Sequence, residues 1–214
     1  MYFNHQFLVT LFSKVYLNLK NHRLLFLLAL VLIPLNLFAQ EDTPFYANKH
    51  KLGFVSGYGS QAFLDVNYDY QVIFFEGEYS YSFLRKRTWG LEVIAQPQYN
   101  MTRIGEEGGP VRQVKGFEFG LNVGFLVRWN FFSDRLSFFT SISTGPHYVS
   151  DPPERQASGY IFSDNFNVGM NVLIYNNMYL EIKSGVRHIS NLGFQQPNHG
   201  VNNTVVKGGF FIVF

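Results

Sequence analysis

Near its C-terminal end the chain carries Val186-Arg187-His188-Ile189-Ser190-Asn191-Leu192-Gly193, then Pro197-Asn198-His199-Gly200. Residues two apart on a β-strand share a face. His188 and Ser190 therefore fall on one row with Leu180, Ile182, Ser184 and Val186, while Glu181, Lys183, Gly185 and Arg187 form the other. An imidazole and a hydroxyl on one row are residue types that catalysis uses. If that row faces lipid, placing them there is costly without a purpose. The plainer reading is a strand that ends in polar residues at a membrane interface. Asn191, Pro197, Asn198 and Gly200 likewise suit an ordinary turn. The histidines are scattered and no carboxylate cluster accompanies them, so neither a metal nor an organic cofactor is implied.

The elements that would position these residues alternate with period two. Phe117, Phe119, Leu121, Val123, Phe125, Val127 and Trp129 form one face of a strand, with Glu118, Gly120, Asn122, Gly124, Leu126, Arg128 and Asn130 on the other. The same pattern sets Phe75, Gly77, Tyr79, Tyr81 and Phe83 against Glu76, Glu78, Ser80 and Ser82. It recurs with Phe166, Val168, Met170, Val172 and Ile174 against Asn165, Asn167, Gly169, Asn171 and Leu173. Any one of these strands would fit a soluble sandwich. As a set they point elsewhere: the apolar faces are dominated by aromatics, as a lipid belt requires, and the polar faces are rich in small residues and amides, as a narrow lumen requires.

Composition agrees. Charged residues make up 15% of the 214 and aromatics 18%, whereas soluble domains carry roughly 25% charge. The net charge of +2 is small and the basic residues are scattered, which argues against nucleic acid as a partner. The absence of cysteine excludes a disulfide framework and a thiolate nucleophile.

Lys20, His22 and Arg23 precede an apolar run from Leu24 to Ile33, and Leu37-Phe38-Ala39-Gln40 follows with a small residue at Ala39. This describes an export signal over 1–39, cleaved before a barrel domain of 40–214. The run is short of the roughly 20 residues that a membrane anchor needs. Since no later stretch is long and apolar enough for a spanning helix, a membrane protein of this sequence must be a closed barrel. The expected architecture is an all-β, eight-stranded antiparallel transmembrane barrel of the outer membrane. Its strands lie near 50–58, 68–84, 88–100, 115–130, 135–149, 158–174, 178–190 and 203–214. Short connections near 85–87, 133–134 and 175–177 alternate with longer polar ones, which puts both termini in the periplasm. The final Gly208-Gly209-Phe210-Phe211-Ile212-Val213-Phe214 resembles the terminal recognition strand of many outer-membrane barrels. Eight strands leave a lumen nearly filled by side chains, which speaks against a diffusion pore.

The His-X-Ser-Asn element followed by Pro-Asn-X-Gly resembles the lipid A 3-O-deacylase (PagL-type) and acyloxyacyl hydrolase family of outer-membrane barrels, over the 13 residues His188 to Gly200. The resemblance implies Ser190 as nucleophile and His188 as the general base that a serine hydroxyl needs. It implies Asn198 as an oxyanion-hole donor, with Asn191 and Gly193 shaping the adjacent turn. The implied substrate is lipid A, or lipopolysaccharide, in the outer leaflet. The pattern departs at one position: the family has a glutamate fourteen residues after the histidine, and this chain has Asn202. An amide oxygen can accept a hydrogen bond from imidazole but cannot neutralise imidazolium.

Asp164 is a candidate substitute. A three-residue turn, Tyr175-Asn176-Asn177, would pair Ile174 with Met178 and bring His188 opposite Asp164, with Cβ atoms roughly 5 Å apart. Its plainer reading is a solvated acid at the barrel rim. Two functions from other classes stand beside the enzyme: a non-catalytic barrel with a structural, lipid-binding or adhesion role, and a narrow channel.

Overall fold

The structure, a computed structural model, describes residues 50–61, 68–86, 88–106, 114–132 and 135–214. The expected export signal and its cleavage site lie outside these residues. Eight strands follow in chain order: β1 (His50–Ser60), β2 (Tyr68–Arg85), β3 (Trp89–Glu106), β4 (Val114–Phe131), β5 (Leu136–Val149), β6 (Gly159–Tyr175), β7 (Met178–Ser190) and β8 (Val201–Val213). Each pairs antiparallel with the next, and β1 pairs with β8, so the sheet closes into a barrel with no free edge. Closure satisfies every strand's backbone groups internally, which a lipid environment demands.

All strand ends but one fall within two residues of the sequence reading, and two differences have a physical reason. β3 runs past 100 to Glu106 because β2 supplies a partner along its whole length, from Tyr68↔Glu106 downward. The β6–β7 turn contains two residues rather than three: Tyr175, not Ile174, faces Met178. Asn176 takes the left-handed φ of 45°, which asparagine tolerates better than most residues. An irregularity between Leu173 and Tyr175 then restores Leu173↔Tyr179, and the expected Asp164↔His188 pairing holds beyond it.

A path through directly paired residues shows how the strands are staggered. From His188 on β7 it passes Asp164, Thr144, Val123, Ala95, Tyr79, Leu52 and Ile212, and returns to β7 at Met178, ten residues from its start. Such a stagger accompanies strands that are tilted to the barrel axis. A row of paired side chains therefore descends the wall as it goes round.

The two faces separate as period two requires. Outward positions carry exposed Phe54, Phe119, Val123, Phe125, Ile142, Phe166, Ile182, Val206 and Phe210. Inward positions bury Glu76, Glu78, Glu92, Glu118 and Glu181 among Lys51, Arg128, Lys183, Arg187 and Lys207. Lys183 bridges Glu76 and Glu78 at 2.8 and 2.6 Å, Lys207 meets Glu76 at 2.6 Å and Arg128 meets Glu92 at 2.5 Å. Apolar clusters cap this layer at both ends. Tyr70, Phe74, Val149, Ile161, Ile189 and Val201 pack at the long-loop end, and Tyr179, Phe211 and Val213 at the turn end. The lumen is occupied by side chains.

Candidate active site

His188 and Ser190 occupy the outward row of β7 at its long-loop end, both partly exposed. His188 lies between two neighbours in register, Asp164 on β6 and Asn202 on β8. The imidazole is turned toward β8: its Nδ1 lies 2.7 Å from Asn202 Oδ1. An amide oxygen only accepts, so in the neutral ring this bond puts the proton on Nδ1 and leaves Nε2 as the acceptor a general base needs. Asn202 is itself held, its backbone N–H donating to the Tyr68 hydroxyl at 3.0 Å.

Asp164 is exposed and sits opposite His188, as the register arithmetic predicts. Its Oδ1 accepts the Thr144 hydroxyl at 2.5 Å, and no hydrogen bond or ion pair joins it to His188. The partner of the imidazole is thus the residue at the family's acid position, not the acid on the neighbouring strand. Ser190 pairs with Phe162 across β6 and makes no hydrogen bond to His188 in this structure. Such bonds are often long until substrate is bound.

The segment between β7 and β8 is organised by its amides. Asn191, 1% exposed, receives the Gly193 N–H on its Oδ1 at 3.0 Å and donates its Nδ2 to the Gln195 carbonyl at 2.7 Å. The Asn191 backbone N–H donates to Asn198 Oδ1 at 2.9 Å. This fixes the Asn198 amide with its oxygen inward and leaves its Nδ2 protons uncommitted, the orientation that an oxyanion donor requires. The turn needs left-handed backbone at Leu192 and Gly193, with φ of 55° and 83°.

Three contributions to the site were not visible in the sequence. Gly200, at φ 68°, lies against the imidazole: a Cβ there would collide with His188 Cε1 and stand 3.1 Å from Nε2. The 150–158 loop fastens the β7–β8 segment, with the Ala157 N–H donating to the Pro197 carbonyl at 2.8 Å and the His199 N–H to the Arg155 carbonyl at 3.0 Å. Arg155 Nη2 adds a bond to the His199 carbonyl at 3.1 Å, and its guanidinium lies 5.0 Å above the Tyr68 ring. A glycine within a turn and an arginine in a remote loop carry no sequence signal for such roles.

A furrow of about 1080 Å³ crosses the outer wall and ends on this site. Its axis follows the paired row Tyr79, Ala95, Val123, Thr144, Asp164, His188 and Asn202. Phe125, Ile142, Phe166 and Val186 stand along one side. The small Ala95, beside the bulkier Val93 and Phe125, gives it depth. It is apolar toward Tyr79 and polar only at the head, where Thr144, Asp164, His188 and Asn202 converge. Because paired rows descend the wall, the furrow leads from the long-loop rim into the apolar belt.

The sequence profile of the family described as lipid A 3-O-deacylase (PagL) matches residues 63–210. Among solved structures, the crystal structure of the outer membrane enzyme PagL is 16% identical, with a TM-score of 0.51, over 77% of this chain and 99% of that one. The outer membrane protein OprG from Pseudomonas aeruginosa is 9% identical, with a TM-score of 0.42, over 78% of this chain and 96% of its own. The attachment invasion locus protein Ail of Yersinia pestis is 15% identical, with a TM-score of 0.41, over 78% of this chain and 99% of its own. No curated protein matches the chain.

Proposed function

The chain belongs to the lipid A 3-O-deacylase (PagL) family, and from that premise we propose that it hydrolyses an ester-linked acyl chain of lipid A in the outer leaflet of the outer membrane, through Ser190 and His188. The observation that carries this reading is a histidine, its Nδ1 held by Asn202, at the head of an apolar furrow, with Ser190 two residues on in the same outward row. An acyl chain lying in the furrow would bring its ester carbonyl to the polar head without leaving the lipid phase.

In the proposed reaction Ser190 Oγ attacks the ester carbonyl carbon while His188 Nε2 takes the hydroxyl proton. Asn198 Nδ2 donates to the developing oxyanion. Collapse breaks the bond to the sugar oxygen, which leaves with the proton from His188. Water, deprotonated by the same imidazole, then releases the fatty acid and restores Ser190. Asn202 holds the ring in the correct tautomer throughout but supplies no charge to the imidazolium. In a serine protease the comparable acid-to-amide change lowers turnover about ten-thousandfold, so this enzyme is expected to be slow.

The same Asn202 supports a second reading, a barrel that keeps the fold of the family in a lipid-binding or structural role. Mass spectrometry of lipid A from cells with and without the protein separates the two. Loss of one acyl chain that depends on Ser190 supports the hydrolase; unchanged lipid A, with folded protein in the membrane, supports the non-catalytic barrel.

A further inference from the structure

We propose a second lipid site, distant in sequence from Ser190: Arg103 on β3 and Lys115 on β4 together bind the phosphate of a phosphorylated membrane lipid. The two residues are directly paired across the strands, both are exposed, and both belong to the outward rows of their strands. Like charges directly opposite each other destabilise a sheet. Among the described residues neither has an acidic partner. The nearby carboxylate on β2, Asp69, is taken up by amides: Gln61 Nε2 at 3.0 Å and Gln71 Nε2 at 3.3 and 3.2 Å. Gln71, the β2 residue paired with Arg103, is neutral. Asp151 lies against the position a Gly116 Cβ would fill. Gly116 belongs to the inward row of β4, so the Asp151 Cβ lies on the inward side there, and among the described residues no ion pair joins Asp151 to Lys115.

The depth of the pair identifies the anion. Immediately below it on the same outward rows are Met101 and Phe117, then Tyr99 and Phe119. Tyr99, Phe117 and Phe119 stack with centroids 6.3 Å apart, and Phe119 stacks on Tyr148 at 5.5 Å. Aromatic girdles mark the membrane–water interface. The two cations thus lie one step above the girdle, where lipid phosphates reside. A guanidinium offers paired N–H donors and an ammonium a point charge, a combination that suits a phosphate. A lipid anchored there would lay its chains over Met101 and Phe117, a contact a free anion cannot make. Neither cation lines the furrow, so the site does not rest on the hydrolase reading.

Native mass spectrometry of the intact barrel in neutral detergent, with lipid A and its dephosphorylated form as competing probes, tests the proposal. Wild type and Ser190→Ala are expected to retain the phosphorylated lipid preferentially. Arg103→Gln with Lys115→Gln should lower that preference about 25-fold, each cation near an anionic surface contributing a factor of about five. The charge-conserving pair Arg103→Lys with Lys115→Arg should keep most of it, and serves as the decisive variant if the neutral one does not fold. Equal retention of both lipids by wild type, or an undiminished preference in the neutral pair, would overturn the site. Inorganic phosphate that displaces the lipid at equal concentration would overturn the assignment to a lipid.

Discussion

His188 is held from three directions: Asn202 on one side, Gly200 against its edge and β7 beneath. Ser190→Ala and His188→Ala should abolish ester hydrolysis while the barrel still folds, as judged by its strand-dominated circular dichroism. Retained hydrolysis in Ser190→Ala would eliminate the serine mechanism. Asn202→Glu should raise kcat by about a hundredfold or more, since the reverse change costs about ten-thousandfold elsewhere. Asp164→Asn should be nearly silent, because its carboxylate is engaged by Thr144 rather than by the imidazole. A sharp loss in Asp164→Asn, with no gain in Asn202→Glu, would return Asp164 to the orienting role. The pairing of Asp164 with His188 was legible in the sequence because register preserves parity: lipid-facing residues must meet lipid-facing residues. The direction in which the ring turns was not legible, since both neighbours lie on the same face and only side-chain packing chooses between them.

At the scale of elements, the eight strands were readable because period two persists through each of them. The ends were less readable. The alternation of Met101, Thr102 and Arg103 continues β3 beyond 100, but these residues also fit a polar loop, and only the long partner β2 decides. The hairpin at Asn176-Asn177 illustrates how one misreading can leave a conclusion intact: the turn is one residue shorter than expected, and the irregularity at Ile174 absorbs the difference. The site depends on a second, less visible pairing of elements. Pro197 and His199 are tied to Ala157 and Arg155 by backbone bonds, so the segment that presents Asn198 is braced by a loop from the other side of β6. Arg155→Ala removes the Nη2 bond to the His199 carbonyl and the stacking on Tyr68. It should leave overall stability within about 1 kcal/mol, as expected for a partly exposed loop residue outside the barrel wall. Hydrogen exchange over 191–200 should become faster and kcat should fall more than KM rises. Unchanged exchange in that segment would show that the backbone bonds suffice.

The whole molecule places a neutralised charged layer between two apolar ones, and Arg187 connects this interior to the site. It immediately precedes His188 but points inward, where its Nη2 meets Glu118 at 2.5 Å and its Nε reaches Ser163 Oγ at 2.9 Å. Glu118 also accepts the Tyr70 hydroxyl and the Asn100 amide. Removing one member of a buried pair leaves an uncompensated charge and costs about 3–5 kcal/mol, whereas replacing both by apolar groups is often neutral. Arg187→Met should therefore lower the stability of the barrel by about that amount, read as a lower urea midpoint in detergent micelles. The double change Arg187→Met with Glu118→Leu should recover part of the loss, but not all, because Tyr70 and Asn100 then lack their acceptor. If both variants were equally destabilised, the relief of the unpaired charge in the double variant would be no larger than its loss of the Tyr70 and Asn100 bonds. If both were as stable as wild type, the interior would tolerate an unpaired charge, which requires water to reach it. The same experiment therefore bears on conduction: a lumen that solvates an unpaired Glu118 should pass ions in planar bilayers, and a dry one should not.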